Sequence, residues 1–374
     1  MLMMNNHEAK KDNNTNPNGM QTPQENKNKR SSFIEEHQSG KVAVLGSGSY
    51  GTAMAYIATH NKHKVMLYSR DQKVVDSINK KHVNPKRFSS VVLPESISAS
   101  TDIEEVLLGA SVVIHAVPAQ YTPNFIGKFK HLFKKGVPIV STAKGIHVQT
   151  HRLMSEAIPH ALGEFSEDIP LVYLSGPSFA KEMIKGHPMA VVVASENLKD
   201  AQHVQKLLSS VRFRCYASDD VIGVEVGGAL KNPLAIGAGM AQGLGFGQST
   251  IAGLVTRGCR EMRQLAMALG GKAETLAGLS GIGDLMLTCF SSLSRNNRCG
   301  KLLAEGKSVE EAFSIIGEVV EGVPTAREVI LLAEQHKLEL PLFRAVDAVL
   351  SGKVKPEDAL GLIMGRDLGL EKFH

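Results

Sequence analysis

Beyond Gly40 the apolar residues fall into short runs separated by longer, partly polar stretches. The runs at 42–45, 64–68, 112–117, 137–142, 171–174 and 190–194 are rich in Val, Ile and Leu. Continuous apolar character, without strict alternation, is what a strand needs when both faces of its sheet are covered. These runs therefore predict a doubly wound, mainly parallel sheet with helices on either side. From about residue 219 the period changes. The stretches 221–244, 248–269, 298–305, 308–316, 325–336 and 342–350 carry apolar residues at helical spacing, punctuated by Gly or Pro. The expected fold class is α/β, a sheet domain over 40–218 followed by an all-helical domain over 219–374. Residues 1–39 are rich in Asn, Gln, Lys, Ser and Pro with little to bury, and disorder is expected there.

The first strand runs straight into Gly46-Ser47-Gly48-Ser49-Tyr50-Gly51, and small, helix-tolerant residues follow. Strand, glycine turn and helix form a Rossmann-type fingerprint. Gly46 permits the sharp turn, Gly48 lets backbone approach a pyrophosphate, and Gly51 lets helix pack on strand. Free N–H groups and the helix dipole favour a phosphate at that point. This makes 40–218 a dinucleotide-binding domain and 219–374 its substrate partner. The second strand ends at Ser69-Arg70-Asp71, about twenty residues on. An acidic side chain there holds ribose hydroxyls, whereas an Arg suits a 2′-phosphate. Arg70 predicts NADPH as the preferred cofactor, and Asp71 beside it leaves room for NADH.

A length of 374 residues suffices for two domains with a sizeable core. The net charge is +5, and the first 40 residues contribute none of it, with five Lys or Arg against five Asp or Glu. A slightly basic folded body suits small anionic substrates, and the lack of a dense basic patch argues against nucleic acid. Cys215, Cys259, Cys289 and Cys299 have no metal-binding spacing, which points to free thiols and a cytoplasmic protein. His115, His147 and His151 lack a ligand constellation and read as structural or surface residues, so no metal site is expected. The tail has no apolar core of a secretory signal, and no later stretch is apolar enough for a membrane span.

The segment 227–240, GGALKNPLAIGAGM, places Lys231 and Asn232 among Gly, Ala and Leu. Burial there would lower the amine's pKa and prepare it for proton transfer near neutral pH, whereas a snorkelling lysine would only reach solvent from one helix face. Periodicity leaves both open. Pro233 removes one helix hydrogen bond directly after the pair and predicts either a bend or an irregular turn.

Taken with GSGSYGTA (46–53), STAKGIH (141–147), LSGPSFAKE (174–182), GIGDLMLTC (281–289), SRNNRCG (294–300) and VVEGVPTA (319–326), this segment resembles the NAD(P)-dependent sn-glycerol-3-phosphate dehydrogenases of bacterial type. The resemblance covers about residues 41–370 and leaves the tail without a counterpart. It implies reversible, NAD(P)H-dependent reduction of dihydroxyacetone phosphate to sn-glycerol 3-phosphate, feeding glycerophospholipid synthesis. Under it Lys231 is the general acid and base, Lys144 contacts substrate and nicotinamide, and Asp284 accompanies the catalytic lysine. Gly176, Ser178 and Asn232 become substrate contacts, and Ser294, Arg295 and Asn296 hold the phosphate end. Ser49 and Tyr50 meet the pyrophosphate, while Ala180, Arg295, Val319, Glu321 and Lys144 reach the cofactor. Thr288 is read as completing a hydrogen bond in the site.

Singly, each residue has a plainer reading: Lys144 a solvated strand-end lysine, Asp284 an N-cap, and Arg295, Asn296 and Arg298 a polar loop. The rival enzymes are a β-hydroxyacid or 6-phosphogluconate dehydrogenase, which also pair a Rossmann domain with a helical one. A catalytically silent NADPH-binding regulator is the reading from another class. Expected partners are the substrate and product alone, with no nucleic acid and no membrane insertion. The sequence leaves a homodimer open.

Overall fold

The computed structural model describes residues 40–368, so the expectation of disorder at 1–39 lies outside the described residues. Eight strands form one sheet: β1 Lys41–Leu45, β2 Lys64–Tyr68, β3 Ile97–Ser100, β4 Ala110–His115, β5 Ile139–Ser141, β6 Leu171–Ser175, β7 Met189–Ala194 and β8 Phe213–Ser218. Their order is β3-β2-β1-β4-β5-β6-β7-β8, and every neighbouring pair is parallel except β6 with β7. The six apolar runs all lie on strands. β3 and β8 carry no such run, because Ser98, Ser100, Arg214 and Tyr216 interrupt them. An edge or near-edge strand needs less apolar surface to be held.

Alternation along β1 divides the core. Val42 and Val44 pack with Ala53, Met54 and Ile57 on one face of the sheet, and Ala43 and Leu45 with Ile126 and Ile158 on the other. The sheet order reverses direction between β1 and β4, and this is where an open parallel sheet leaves a crevice at its carboxyl edge. Gly46 closes that crevice with a φ of +118°, a conformation an L side chain rarely adopts.

After β8 the chain becomes helical. The central helix Val221–Gly243 is buried over almost its whole length. Asp220 starts it, accepting from the Gly223 N–H at 2.9 Å through one oxygen and from the Lys272 N–H at 3.0 Å through the other. Helices Gln248–Ala268, Asp284–Phe290, Arg295–Ala304, Gly322–Gln335 and Pro341–Leu350 surround it. Two of these begin three residues earlier than periodicity places them, at Arg295 instead of 298 and Gly322 instead of 325. The first begins on the polar Arg295-Asn296-Asn297 and the second on Gly322-Val323-Pro324, and neither start carries apolar residues at helical spacing. Arg295–Ala304 lies so close to the central helix that a Cβ on Gly300 would come 2.0 Å from the Ile236 carbonyl oxygen, and one on Gly239 the same distance from that of Asn297. Among the described residues no single helix is long and apolar enough to cross a membrane.

Candidate active site

Lys231 sits mid-way along the central helix and is only 7% exposed, so it does not snorkel. Its Nζ donates to Asp284 Oδ1 at 2.7 Å and to Thr288 Oγ1 at 2.9 Å. The other carboxylate oxygen, Asp284 Oδ2, accepts from Lys144 Nζ, also at 2.7 Å. Two ammonium groups from different domains therefore share one carboxylate, itself 1% exposed. Asp284 is not an N-cap. It is the first residue of Asp284–Phe290, and its side chain turns back to the central helix. Thr288, one turn on, donates to the Asp284 carbonyl at 2.6 Å, which leaves its oxygen lone pairs for Lys231.

The electrostatics separate the two lysines. Burial disfavours the Lys231 charge most, and although Asp284 opposes this, nearby Lys144 adds to it. The Lys231 pKa falls to about 8. Burial also works against the Lys144 charge, but Asp284 and the Tyr50 phenol outweigh it and hold that pKa above its ordinary value. Asp284 resists the burial that would protonate it because both lysines stabilise its anion. The result is one permanent cation beside one amine poised to exchange a proton.

Lys144 reaches this point from just past the carboxyl end of β5, and its Nζ also donates to the Gly176 carbonyl at 3.1 Å, just past β6. That carbonyl accepts from Ser178 Oγ as well, at 3.0 Å, and Ser178 Oγ lies 3.0 Å from the Tyr50 hydroxyl in the glycine-turn helix Ser49–Thr59. Two strand ends and the first helix are thus joined at one edge of the sheet.

On the far side Asn232 donates through Nδ2 to the Lys144 carbonyl at 3.2 Å, and its Oδ1 accepts from Asn296 at 2.9 Å. Asn296 Oδ1 in turn accepts from the Gly322 N–H at 2.9 Å. Ser294 is buried and caps its own helix, accepting from the Asn297 N–H at 3.1 Å. Arg295, Asn296 and Arg298 lie on that helix and not in a loop. Arg295 is half-exposed, and its guanidinium donates to Glu318 at 3.1 Å.

The chain matches the model for the C-terminus of NAD-dependent glycerol-3-phosphate dehydrogenase over residues 220–361 and that for its N-terminus over residues 41–201. The chain belongs to this family. A glycerol-3-phosphate dehydrogenase [NAD(P)+] of Xanthomonas campestris is 42% identical over 327 residues, 87% of this chain and 95% of the relative. A chloroplastic glycerol-3-phosphate dehydrogenase [NAD(+)] of Arabidopsis thaliana is 44% identical over 322 residues, 86% of this chain and 76% of the relative. Among solved structures, glycerol-3-phosphate dehydrogenase from Coxiella burnetii aligns with a TM-score of 0.82 at 36% identity, covering 88% of this chain and 99% of that one. Membership disfavours the β-hydroxyacid, phosphogluconate and silent-regulator readings.

The glycine turn fits a dinucleotide. The helix Ser49–Thr59 follows Gly48 without any side-chain cap, and a Cβ on Gly48 would meet nothing within 4 Å, which leaves room beside this turn. Arg70 is exposed just past β2. Asp71 is already engaged: it caps the helix Gln72–Lys81 by accepting from the Lys73 N–H at 2.9 Å, and it pairs with Lys86. Ala180 packs half-buried near Tyr50 on the same apolar cluster, and Val319 is 42% exposed. Glu321 lies under the Lys144–Gly145 turn, and burial pushes its carboxyl up to about 7 against a hydrogen bond from Ala119 and the Arg295 charge.

Hydrogen bonds link Tyr50, Ser178, Gly176, Lys144, Asp284, Lys231, Asn232 and Asn296 into one connected set. What the sequence reading missed are Arg87, which pairs with Glu318 at 3.2 Å, and Glu318 itself. Neither carries a motif, and only folding brings the two together. His115 is fully buried and lowered to about 4 by burial, so it is a neutral core residue. His147 is buried and bonded to Thr150, while His151 pairs with Glu328.

Proposed function

We propose that this crevice reduces dihydroxyacetone phosphate to sn-glycerol 3-phosphate, and runs the reverse reaction, with NADPH preferred and NADH tolerated. The observation that carries the reading is the Lys231–Asp284–Lys144 arrangement at the carboxyl edge of a dinucleotide-type sheet. When bound, the reduced nicotinamide supplies the hydride that the ketone carbon accepts. Lys231, with a pKa of about 8, gives its proton to the oxygen that becomes the new hydroxyl, then regains one from solvent. Asp284 and Thr288 hold Nζ in one direction, so the transfer does not wait on a rotamer search. Lys144 stays charged and stabilises the developing alkoxide. Arg295 takes the phosphate end, its planar fork matching two phosphate oxygens, and the Asn232–Asn296 pair fixes the distance between the phosphate and ketone ends. Gly46, Gly48, Ser49, Tyr50 and Gly51 hold the pyrophosphate, Arg70 the 2′-phosphate, and Ala180, Val319 and Glu321 border the cofactor.

Asp71 supports the cofactor preference, since a carboxylate occupied by a helix cap and Lys86 is poorly placed to hold ribose hydroxyls. Four free cysteines, three of them buried, suit the reducing cytoplasm. Product feeding glycerophospholipid synthesis is the role this reaction would serve. A substrate panel followed by loss of the reduced cofactor's absorbance tests the assignment. Dihydroxyacetone phosphate should be turned over well and unphosphorylated dihydroxyacetone poorly. Equal use of both would overturn the phosphate-end assignment, and turnover of a β-hydroxyacid instead would overturn the reaction.

A further inference from the structure

Glu318 is held by two guanidinium groups from distant parts of the chain. Its Oε1 pairs with Arg87 Nη1 at 3.2 Å and its Oε2 with Arg295 Nη1 at 3.1 Å. Arg87 belongs to the connection between β2 and β3 in the sheet domain, and Arg295 opens a helix of the other domain. All three side chains are about one-third to one-half exposed, so the charges are only partly screened. One carboxylate on two arginines has a specific consequence when the phosphate of the substrate arrives. Arg295 must turn donors towards a dianion, and its bond to Glu318 weakens. Without a second partner Glu318 would then stand as an uncompensated negative charge beside that dianion.

We propose that Arg87 is an affinity-determining residue for the phosphorylated substrate. It acts through Glu318, as a positioning and charge-compensating residue that holds the carboxylate while Arg295 turns to the phosphate. The inference rests on the assignment of Arg295 to the phosphate end. Arg87 takes no part in proton or hydride transfer, so its effect belongs in KM and not in kcat.

The test is a double-mutant cycle on the full chain, read as KM and kcat for dihydroxyacetone phosphate and as the Kd for glycerol 3-phosphate by calorimetry. Arg87→Ala should raise KM and Kd roughly three- to tenfold, the range expected for one partly exposed charge pair, with kcat within about twofold of wild type. Adding Glu318→Gln to that variant removes the stranded charge and should return KM and Kd to within about twofold of wild type. Arg87→Gln, which keeps the side chain's bulk, should behave as Arg87→Ala does. A purely structural role would give the opposite pattern, since removing a second partner would compound the damage. Unchanged KM and Kd in Arg87→Ala, or a loss that Glu318→Gln fails to reverse, overturns the proposal. The direct binding measurement separates the two claims. Binding of glycerol 3-phosphate with the expected cycle, but without turnover, would sink the reaction and leave the role of Arg87 standing.

Discussion

Lys231 shows how a single side chain takes its chemistry from its surroundings. Desolvation lowers its pKa to about 8, and Asp284 keeps it from falling further. In the proposed role reduction uses the protonated amine, so kcat for reduction should be flat below about pH 8 and fall about tenfold per unit above it, while oxidation rises through the same pH. A pH profile in both directions checks the sign, and a break near the ordinary lysine value would contradict it. Lys231→Ala should lower kcat by about 10²–10⁴-fold with cofactor affinity within about twofold, as single-turnover and fluorescence titrations would show. Retention of most activity would mean that another group donates the proton. Arg70→Asp should shift the ratio of NADPH to NADH affinity towards NADH, because a carboxylate there repels the 2′-phosphate and accepts ribose hydroxyls. The glycine turn and the apolar setting of Lys231 were both legible in sequence, because each depends on neighbours within a few residues. The Asp284 bridge to both lysines was not, because it joins positions 140 and 53 residues apart.

The central helix explains how an apolar, glycine-rich segment can carry the amine proposed as proton donor. Small residues let other helices approach closely, and close approach removes the water that would otherwise solvate the ammonium. Gly300→Ala should therefore cost about 1–3 kcal/mol, since its new Cβ meets backbone and not a yielding side chain. Thermal or denaturant melts measure this, and an unchanged midpoint would show that the helices separate freely. Pro233 lies inside the helix, and the helix continues to Gly243. The N–H that proline lacks would have met the Ala229 carbonyl, so the cost of Pro233 is one bond within a segment held by packing on nearly all sides. Sequence periodicity placed the long helices but missed the short ones at Ala273–Leu276 and Ala359–Met364, which are too brief to show a repeat.

At the scale of the molecule, buried glutamates couple stability to pH. Glu225 receives the Ser155 N–H and so caps the helix Met154–Leu162, and Glu261 receives the Leu342 and Phe343 N–H groups at the start of Pro341–Leu350. Burial raises both to about 7 against these hydrogen bonds. The folded state therefore binds more protons than the unfolded chain between about pH 4.5 and 7. Their contribution is fully present below about 4.5 and lost as pH rises through about 7. Melting temperature should fall over that window, and Glu225→Gln should flatten the slope, while an unaltered slope would remove Glu225 from the account. The sequence by itself determined the alternation of strand and helix, the glycine turn between the first strand and helix, and the family, because these are written in local spacing and in ordered motifs. Only the tertiary structure decided that Lys231 is buried, that one carboxylate serves two lysines, that Asp71 is engaged, and that Arg87 meets Arg295 across Glu318. Each of these depends on desolvation or on charges brought together by packing, quantities that no stretch of chain possesses before it folds.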